Sequence, residues 1–423
     1  MGTFVGYRCS LCREEYGPSQ VTYICPRDRG NLDVVLDLSA IRRAMSPADI
    51  SCSREESIWR YLPLLPVGDP GHVGSALRAA GWTPLLRPER LAAGLGLKHL
   101  WVKDDGRNPT ASFKDRASAV AVARAQAVGA ETIVTASTGN AGAALAGMAA
   151  AAGLPAVILA PRTAPPAKVA QLLIFGARVF LVDGTYDQAF DLTLEAAEAF
   201  GWYCRNTGYN PFTAEGKKTA AFEICEQLTR SLGLQGGNLW TAPGAVLVSV
   251  GDGNIISGLH KGFRDLLDLG WIKAMPRLIG VQAAGSAAIA QAFQRGSEEI
   301  IPVRAETLAD SICVDLPRDG VRAVRAARET GGTYLTVDDA EILAAIRTLG
   351  KAAIFAEPAA AAAYAGLEVA VRRGLVAAEE TVVLLNTGNG LKDVRAAMQA
   401  AGEAVVIEPT LAALVSAQST GKV

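Results

Sequence analysis

The sequence predicts an α/β protein with doubly wound, mostly parallel sheets, and three observations predict it. Short apolar runs alternate with helix-length segments over most of the chain, the pattern of βαβ units. The runs are apolar throughout rather than alternately, as strands buried on both faces should be. Two of them end in loops of small residues that open the next helix, Ser137-Thr138-Gly139-Asn140-Ala141-Gly142 and Gly251-Asp252-Gly253-Asn254. Such a loop, with its N–H groups and the helix N-terminus behind it, cradles an anion.

Composition sets the bounds. The chain has 423 residues, 50% hydrophobic and 20% charged, which gives room for about two or three domains with large cores. A formal net charge of -1 argues against a nucleic-acid partner, which calls for a basic face. Residues 141–161 carry no charge and are long enough to span a bilayer. They break at Gly153-Leu154-Pro155, so a buried helix followed by a buried strand explains them better, and no membrane partner is expected. The N-terminus lacks a charged stretch followed by an apolar one, so no secretory signal is read. The 7 cysteines, an odd number, then point to reduced thiols in a cytoplasm.

In chain order, Cys9-Ser10-Leu11-Cys12 is followed by Cys25-Pro26-Arg27-Asp28 and a strand over 33–38. Two Cys-x-x-Cys knuckles would mark a zinc ribbon, but the second ends here in Asp28. Cys9, Cys12 and Cys25 are the candidate ligands, with Asp28, a carboxylate that can ligate zinc, or Cys52 in its stead as the fourth, and no metal is assigned. Residues 39–80 read as a connector with a short helical patch and a bend at Pro63 and Pro66. A strand at 99–102 leads to Asn108-Pro109-Thr110-Ala111-Ser112-Phe113-Lys114-Asp115-Arg116, which opens an alanine-rich helix. Pro109 keeps Asn108 out of helical geometry. Ser112 reads as the N-cap and Asp115 as its capping-box partner. Lys114 then lies in the first turn, where the positive end of the helix dipole disfavours a protonated amine. Only a neutral amine attacks a carbonyl, so such a lysine suits Schiff-base chemistry. Further strands are expected at 132–136, 156–160, 178–182, 245–250 and 381–385, with helices between them.

The nonamer resembles the pyridoxal-phosphate lysine motif of threonine synthases, Asn-Pro-Thr-Gly-Ser-Phe-Lys-Asp-Arg, with Ala111 in place of the glycine. The resemblance continues through Gly81-Trp82-Thr83-Pro84-Leu85, the Ser137 loop, Asn210-Pro211-Phe212-Thr213-Ala214-Glu215-Gly216-Lys217-Lys218-Thr219, Phe355-Ala356-Glu357-Pro358-Ala359-Ala360 and Asn386-Thr387-Gly388-Asn389-Gly390-Leu391-Lys392-Asp393. It implies a fold-type-II pyridoxal-phosphate enzyme of the tryptophan synthase β type. Residues 1–38 would be a zinc-ribbon-like segment and 39–80 the connector. Residues 81–410 would be a catalytic region of two interleaved α/β domains, and 411–423 a tail.

The same resemblance implies the roles. Lys114 would hold the cofactor and shuttle protons. Gly251, Asp252, Gly253, Asn254 and Ile255 would anchor the cofactor phosphate, with the Asp252 side chain turned away. Asn140 would lie beside the phenolic oxygen of the ring, and the Thr387 hydroxyl would face its nitrogen. Ser137, Thr138 and Asn140 would grip the substrate carboxylate. Thr213 stands where the family carries an arginine for the substrate phosphate, and Lys217, four residues on, is assigned that task. Asn389 replaces a histidine. The implied activity is a carbon–oxygen lyase of threonine biosynthesis, converting O-phospho-L-homoserine and water to L-threonine and phosphate, in a cytoplasmic homodimer. A threonine/serine ammonia-lyase, or a synthase acting on another β-substituted amino acid, stays open beside it.

Overall fold

The computed structural model describes residues 3–137, 139–164, 166–234 and 237–419. The chain begins with a small antiparallel sheet, in which β1 (Phe4–Cys9) lies between β2 (Glu15–Tyr16) and β3 (Leu32–Leu36). The sheet lies within residues 1–38, the segment the resemblance read as ribbon-like, and its last strand ends two residues before the one expected at 33–38. Short helices at Leu38–Ala44 and Pro47–Ser51 and a 3-10 segment at Ile58–Leu64 form the connector.

The main sheet starts with β4 (Leu85–Leu86) and β5 (His99–Asp104). The chain then leaves it to build a second parallel sheet from β6 (Ile133–Ala136), β7 (Ala156–Pro161), β8 (Arg178–Val182) and β9 (Tyr203–Cys204), in the order β8-β7-β6-β9. It returns with β10 (Ala245–Ser249), β11 (Arg277–Ala283), β12 (Thr333–Val337) and β13 (Thr381–Asn386). The main sheet reads β12-β11-β10-β13-β5-β4, parallel except where β4 pairs with β5. In its centre Val246 pairs with Leu278 on one side and Val383 on the other.

Strands β6, β7 and β10 are buried at every position, as their apolar sequences require. β8 departs from that expectation: Phe180 is 46% and Leu181 51% exposed. It is the edge strand of its sheet, with a neighbour on one side alone. The uncharged run divides as expected into the Asn140–Ala151 helix and β7. No helix among the described residues is long and apolar enough to cross a membrane.

The helix bearing Lys114 spans Lys114–Ala127, and its start corrects one expectation. Its N-cap is Phe113, with no side-chain cap. Ser112 instead bridges to Gly388 through its backbone, and Asp115 turns back to accept from the N–H of Thr110 at 2.6 Å and from its hydroxyl. The carboxylate thus ties down the turn before the helix. Lys114 still opens the first turn, so the dipole argument stands. Against this helix lies Phe212–Ser231. A Cβ at Gly216 would meet the Arg116 carbonyl oxygen at 2.1 Å, so glycine is required for the two backbones to come this close.

Candidate active site

Four of the segments singled out in the sequence follow the carboxyl ends of parallel strands: Lys114 after β5, Ser137–Asn140 after β6, Gly251–Ile255 after β10 and Thr387 after β13. Open α/β sheets place ligands there. They converge on a cavity of about 280 Å³ lined by Lys114, Ser137, Asn140, Lys217, Gly251, Asp252, Gly253, Asn254, Ile255 and Thr387. Thr138 lies outside the described residues.

Burial pushes the Lys114 ammonium down to about 8, and the Arg205 guanidinium pushes the same way. Asp252 and Glu357 oppose them. Arg205 follows β9 and is fully buried, its Nη1 donating to Thr207 Oγ1 at 2.6 Å and its Nε to Ser118 Oγ at 3.2 Å. Its Nη2 has no partner among the described residues. A lone arginine after a strand carries no signal in sequence; only the fold brings its charge to Lys114.

The turn at Gly251–Ile255 caps the Asn254–Asp268 helix, with Gly253 at φ +90°. The first N–H groups of a helix have no partner within it, so this turn presents donors to an anion. Packing behind the turn gives the glycines a reason of their own. A Cβ at Gly251 would meet Ile312 Cα at 2.9 Å, and one at Gly253 the Asp319 carbonyl oxygen at 2.7 Å. The segments packed behind the turn demand them. Asp252 accepts from the Arg318 N–H at 3.2 Å, and burial raises its pKa. Asn254 donates to Asp319 Oδ2 at 2.7 Å and accepts from Lys217 Nζ and from Thr213 Oγ1. With its side chain so committed, Asn254 offers an anion its backbone N–H.

Asn140 opens its helix and donates to Glu357 Oε1 at 2.7 Å and to Ser311 Oγ at 3.3 Å, while its own Oδ1 is buried without a partner among the described residues. Glu357, lining the same cavity, is pushed up by burial. Its motif was legible in sequence, but its place against Asn140 was not. Ser137 Oγ accepts from the Gly139 N–H at 3.1 Å, and Thr387 Oγ1 lies 3.4 Å from Ser249 Oγ.

Residues 76–388 match the family described as pyridoxal-phosphate dependent enzyme. The chain is 38% identical to the threonine synthase of Methanocaldococcus jannaschii over 404 residues, 95% of this chain and 96% of that one. It is 38% identical to the threonine synthase of Methanosarcina acetivorans over 411 residues, 96% and 97% of the two chains. The chain belongs to the threonine synthase family of pyridoxal-phosphate dependent enzymes. Threonine deaminase isoform 2 from Solanum lycopersicum shares the fold, with a TM-score of 0.61 at 22% identity over 76% of this chain and 83% of that one. So does diaminopropionate ammonia lyase from Escherichia coli, at 0.64 and 22% over 75% and 86%.

The residues present fit the family's cofactor. A lysine of lowered pKa, a turn that opens a helix whose first N–H groups have no partner within it, and an Asn140 amide oxygen without a partner among the described residues face one cavity. The departures from the family motifs also find their places. Ala111 holds φ +64°, a left-handed conformation suited to the glycine it replaces. That conformation costs an L-residue roughly 1–2 kcal/mol, partly offset in any Ala→Gly change by about 0.4–1 kcal/mol of unfolded-chain entropy. Ala111→Gly should therefore raise the melting temperature by a small margin, and a lowered one in thermal denaturation would contradict the strain. Asn389 accepts from the Leu391 N–H at 3.0 Å, capping its own turn.

At the N-terminus one ligand atom from each of Cys9, Cys12, Cys25 and Asp28 lies within 4.8 Å of the others. The Cys12 and Cys25 sulfurs are 3.7 Å apart, close to the roughly 3.8 Å edge of a tetrahedron with zinc–sulfur bonds of about 2.3 Å. N–H groups of Gly30 and Cys12 hold the Asp28 carboxylate at 2.8 and 3.0 Å, and the Gly30 N–H lowers its pKa despite some desolvation, with help from the three thiols. Cys52 is exposed at the end of the Pro47–Ser51 helix and outside this group, so it is not the fourth ligand. Asp28 is the fourth member of the group.

Proposed function

We propose that the chain converts O-phospho-L-homoserine and water to L-threonine and phosphate. Near full-length similarity to two threonine synthases carries this reading. A cavity with Lys114 and Lys217 in its wall supports it, because the substrate brings a carboxylate and a phosphate. Pyridoxal phosphate, when bound, supplies an electron sink that stabilises negative charge at the substrate's α and β carbons. Lys114 would hold it, the N–H groups of the Gly251–Ile255 turn would take its phosphate, and Asn140 and Thr387 would orient its ring. The Lys114 amine, freed when the substrate's own amine takes its place and held near a pKa of about 8 by burial, moves protons off the α and β carbons as phosphate leaves the γ carbon, then returns one to the γ carbon and, as water adds at the β carbon, one to the α carbon. Ser137 and the start of the Asn140–Ala151 helix grip the substrate carboxylate.

Lys217 takes the place of the arginine absent at Thr213. Burial drives its pKa well below the ordinary lysine range, and a bound dianion would draw the proton back. Lys217→Ala should raise KM for the phosphorylated substrate at least about thirtyfold, from the roughly 2–5 kcal/mol lost with one partner of a buried charge pair. Cofactor content is measured alongside; an unchanged KM would remove Lys217 from the phosphate subsite.

The test of the activity is phosphate release from O-phospho-L-homoserine by cofactor-loaded protein, with threonine assayed in the same tube. Equal amounts of both are expected. A yellow protein that releases neither would reject this substrate and direct the assay to ammonia and 2-oxo acids from serine and threonine. A cytoplasmic homodimer completes the reading, and the mass in solution checks the dimer. We propose also that Cys9, Cys12, Cys25 and Asp28 hold one zinc ion. Metal analysis should find one zinc per chain, lost in Cys12→Ser; a metal-free protein of unchanged stability would exclude the site.

A further inference from the structure

The N-terminal ribbon is joined to the active site by a continuous run of charged and polar contacts. Asp33, on β3, accepts from Arg322 Nη1 at 2.6 Å. Arg322 grips Asp319 with two further donors, Nε to Oδ1 at 2.6 Å and Nη2 to Oδ2 at 2.8 Å. Asp319 Oδ2 in turn accepts from Asn254 Nδ2 at 2.7 Å. Asn254 stands at the start of the Asn254–Asp268 helix, and its Oδ1 accepts from Lys217. Asp319 and Asn254 are 0% and 2% exposed, and Asp319 is the acceptor the structure gives the Asn254 side-chain amide among the described residues. Two further contacts repeat the link: the Asp319 N–H donates to the Asp252 carbonyl at 2.9 Å, and the Asn31 side-chain amide of the ribbon donates to the Arg318 carbonyl at 3.2 Å.

We propose that the ribbon is a positioning element of the active site, acting through Asp33, Arg322 and Asp319 on Asn254 and the Gly251–Ile255 turn. The inference rests on the reading of that turn as the cofactor-phosphate site, and not on the identity of the amino-acid substrate. Asp319 fixes which face Asn254 turns to Lys217. It also packs behind Gly253, where a Cβ would meet its carbonyl oxygen at 2.7 Å. Bidentate contact with Arg322 sets the carboxylate in plane, and Asp33 holds the far side of the guanidinium. A displaced ribbon would therefore loosen the turn and leave its N–H groups less well aimed at a phosphate.

The experiment titrates cofactor-stripped full-length protein with pyridoxal phosphate and reads the dissociation constant from the visible absorbance of the protein-bound form. Asp33→Asn keeps the side chain's shape at a site about one third exposed (35%), so the fold should survive. It should weaken cofactor binding about fivefold to tenfold, the lower end of measured couplings between sites. Asp319→Asn should weaken it more, and Asp33→Asn should add little once Asp319 is changed, because both act through one guanidinium. Glu15→Gln, which breaks the exposed Arg8–Glu15 pair elsewhere in the ribbon, should leave the constant unchanged. A dissociation constant within twofold of wild type in Asp33→Asn would overturn the proposal, as would independent, additive effects of the two aspartates. Because no substrate enters this titration, a failure here and a failure of the phosphohomoserine assay are read separately.

Discussion

Lys114→Ala is expected to leave the fold intact, abolish covalent attachment of the cofactor and lower turnover by at least about a thousandfold. Two functions vanish with one amine, the attachment point and the acid–base group, and acid–base catalysis alone contributes about 10²–10⁴. Far-ultraviolet circular dichroism, visible absorbance and phosphate release are measured on the same preparation. A variant that keeps a tenth of the activity would mean that another base does the work. The same lysine has a pH signature. Its pKa lies near 8, lowered first by burial and then by Arg205. Only the neutral amine bonds to the cofactor's carbonyl, so the attachment rate of stripped protein should rise with pH and level off above about 8. Arg205→Met removes a cation, which disfavours the protonated amine less, so the inflection should move upward toward the ordinary lysine value. An inflection that stays at about 8 would leave burial as the whole cause.

What could be read in the sequence was local chemistry. Lys114, the Ser137 loop, the Gly251 turn and the Thr387 segment each announce themselves through small residues or a proline next to an apolar run, and all of them reach the one cavity. Contacts between distant residues were not legible. Arg205 lowers the pKa of Lys114 across 91 positions of sequence, Glu357 meets Asn140 from another sheet's helix, and Asp319 holds Asn254 from a loop with no motif. Local rules also failed where a tertiary partner outbid them. Ser112 has the chemistry of an N-cap, yet pairing with Gly388 claims its backbone and Asp115 caps the preceding turn instead. β8 has the apolar content of a central strand but lies at an edge, because strand order is set by the whole sheet.

Glu223→Leu is expected to destabilise the protein by roughly 3–5 kcal/mol, the usual result of stripping one partner from a buried ion pair. Glu223 is fully buried and receives Arg116 Nη2 at 2.8 Å, Lys103 Nζ at 2.6 Å and the Trp82 N–H at 2.8 Å. Burial alone would raise its pKa, but Arg116 and Lys103 override that and hold it at about 2. Arg116 is gripped on its other side by Asp105, at 2.8 and 3.0 Å. The four charges, Lys103, Asp105, Arg116 and Glu223, thus cancel in the interior. They join the end of β5, the start of the Lys114–Ala127 helix and the Phe212–Ser231 helix. Removing Glu223 leaves an uncompensated buried cation beside the turn that places Lys114. For a chain of 423 residues, with about 2.1 cal/mol/K of unfolding entropy per residue, 1 kcal/mol shifts the melting temperature by about 1 °C, so it should fall by about 3–6 °C, and cofactor attachment should slow with it. Lys103→Met combined with Glu223→Leu removes one charge of each sign and keeps the Arg116–Asp105 pair. The double variant should recover most of the loss, short of the roughly 1 kcal/mol owed to the unpaired Trp82 N–H. A double variant less stable than Glu223→Leu alone would show that hydrogen bonding and packing by Lys103, and not charge balance, hold this end of the helix.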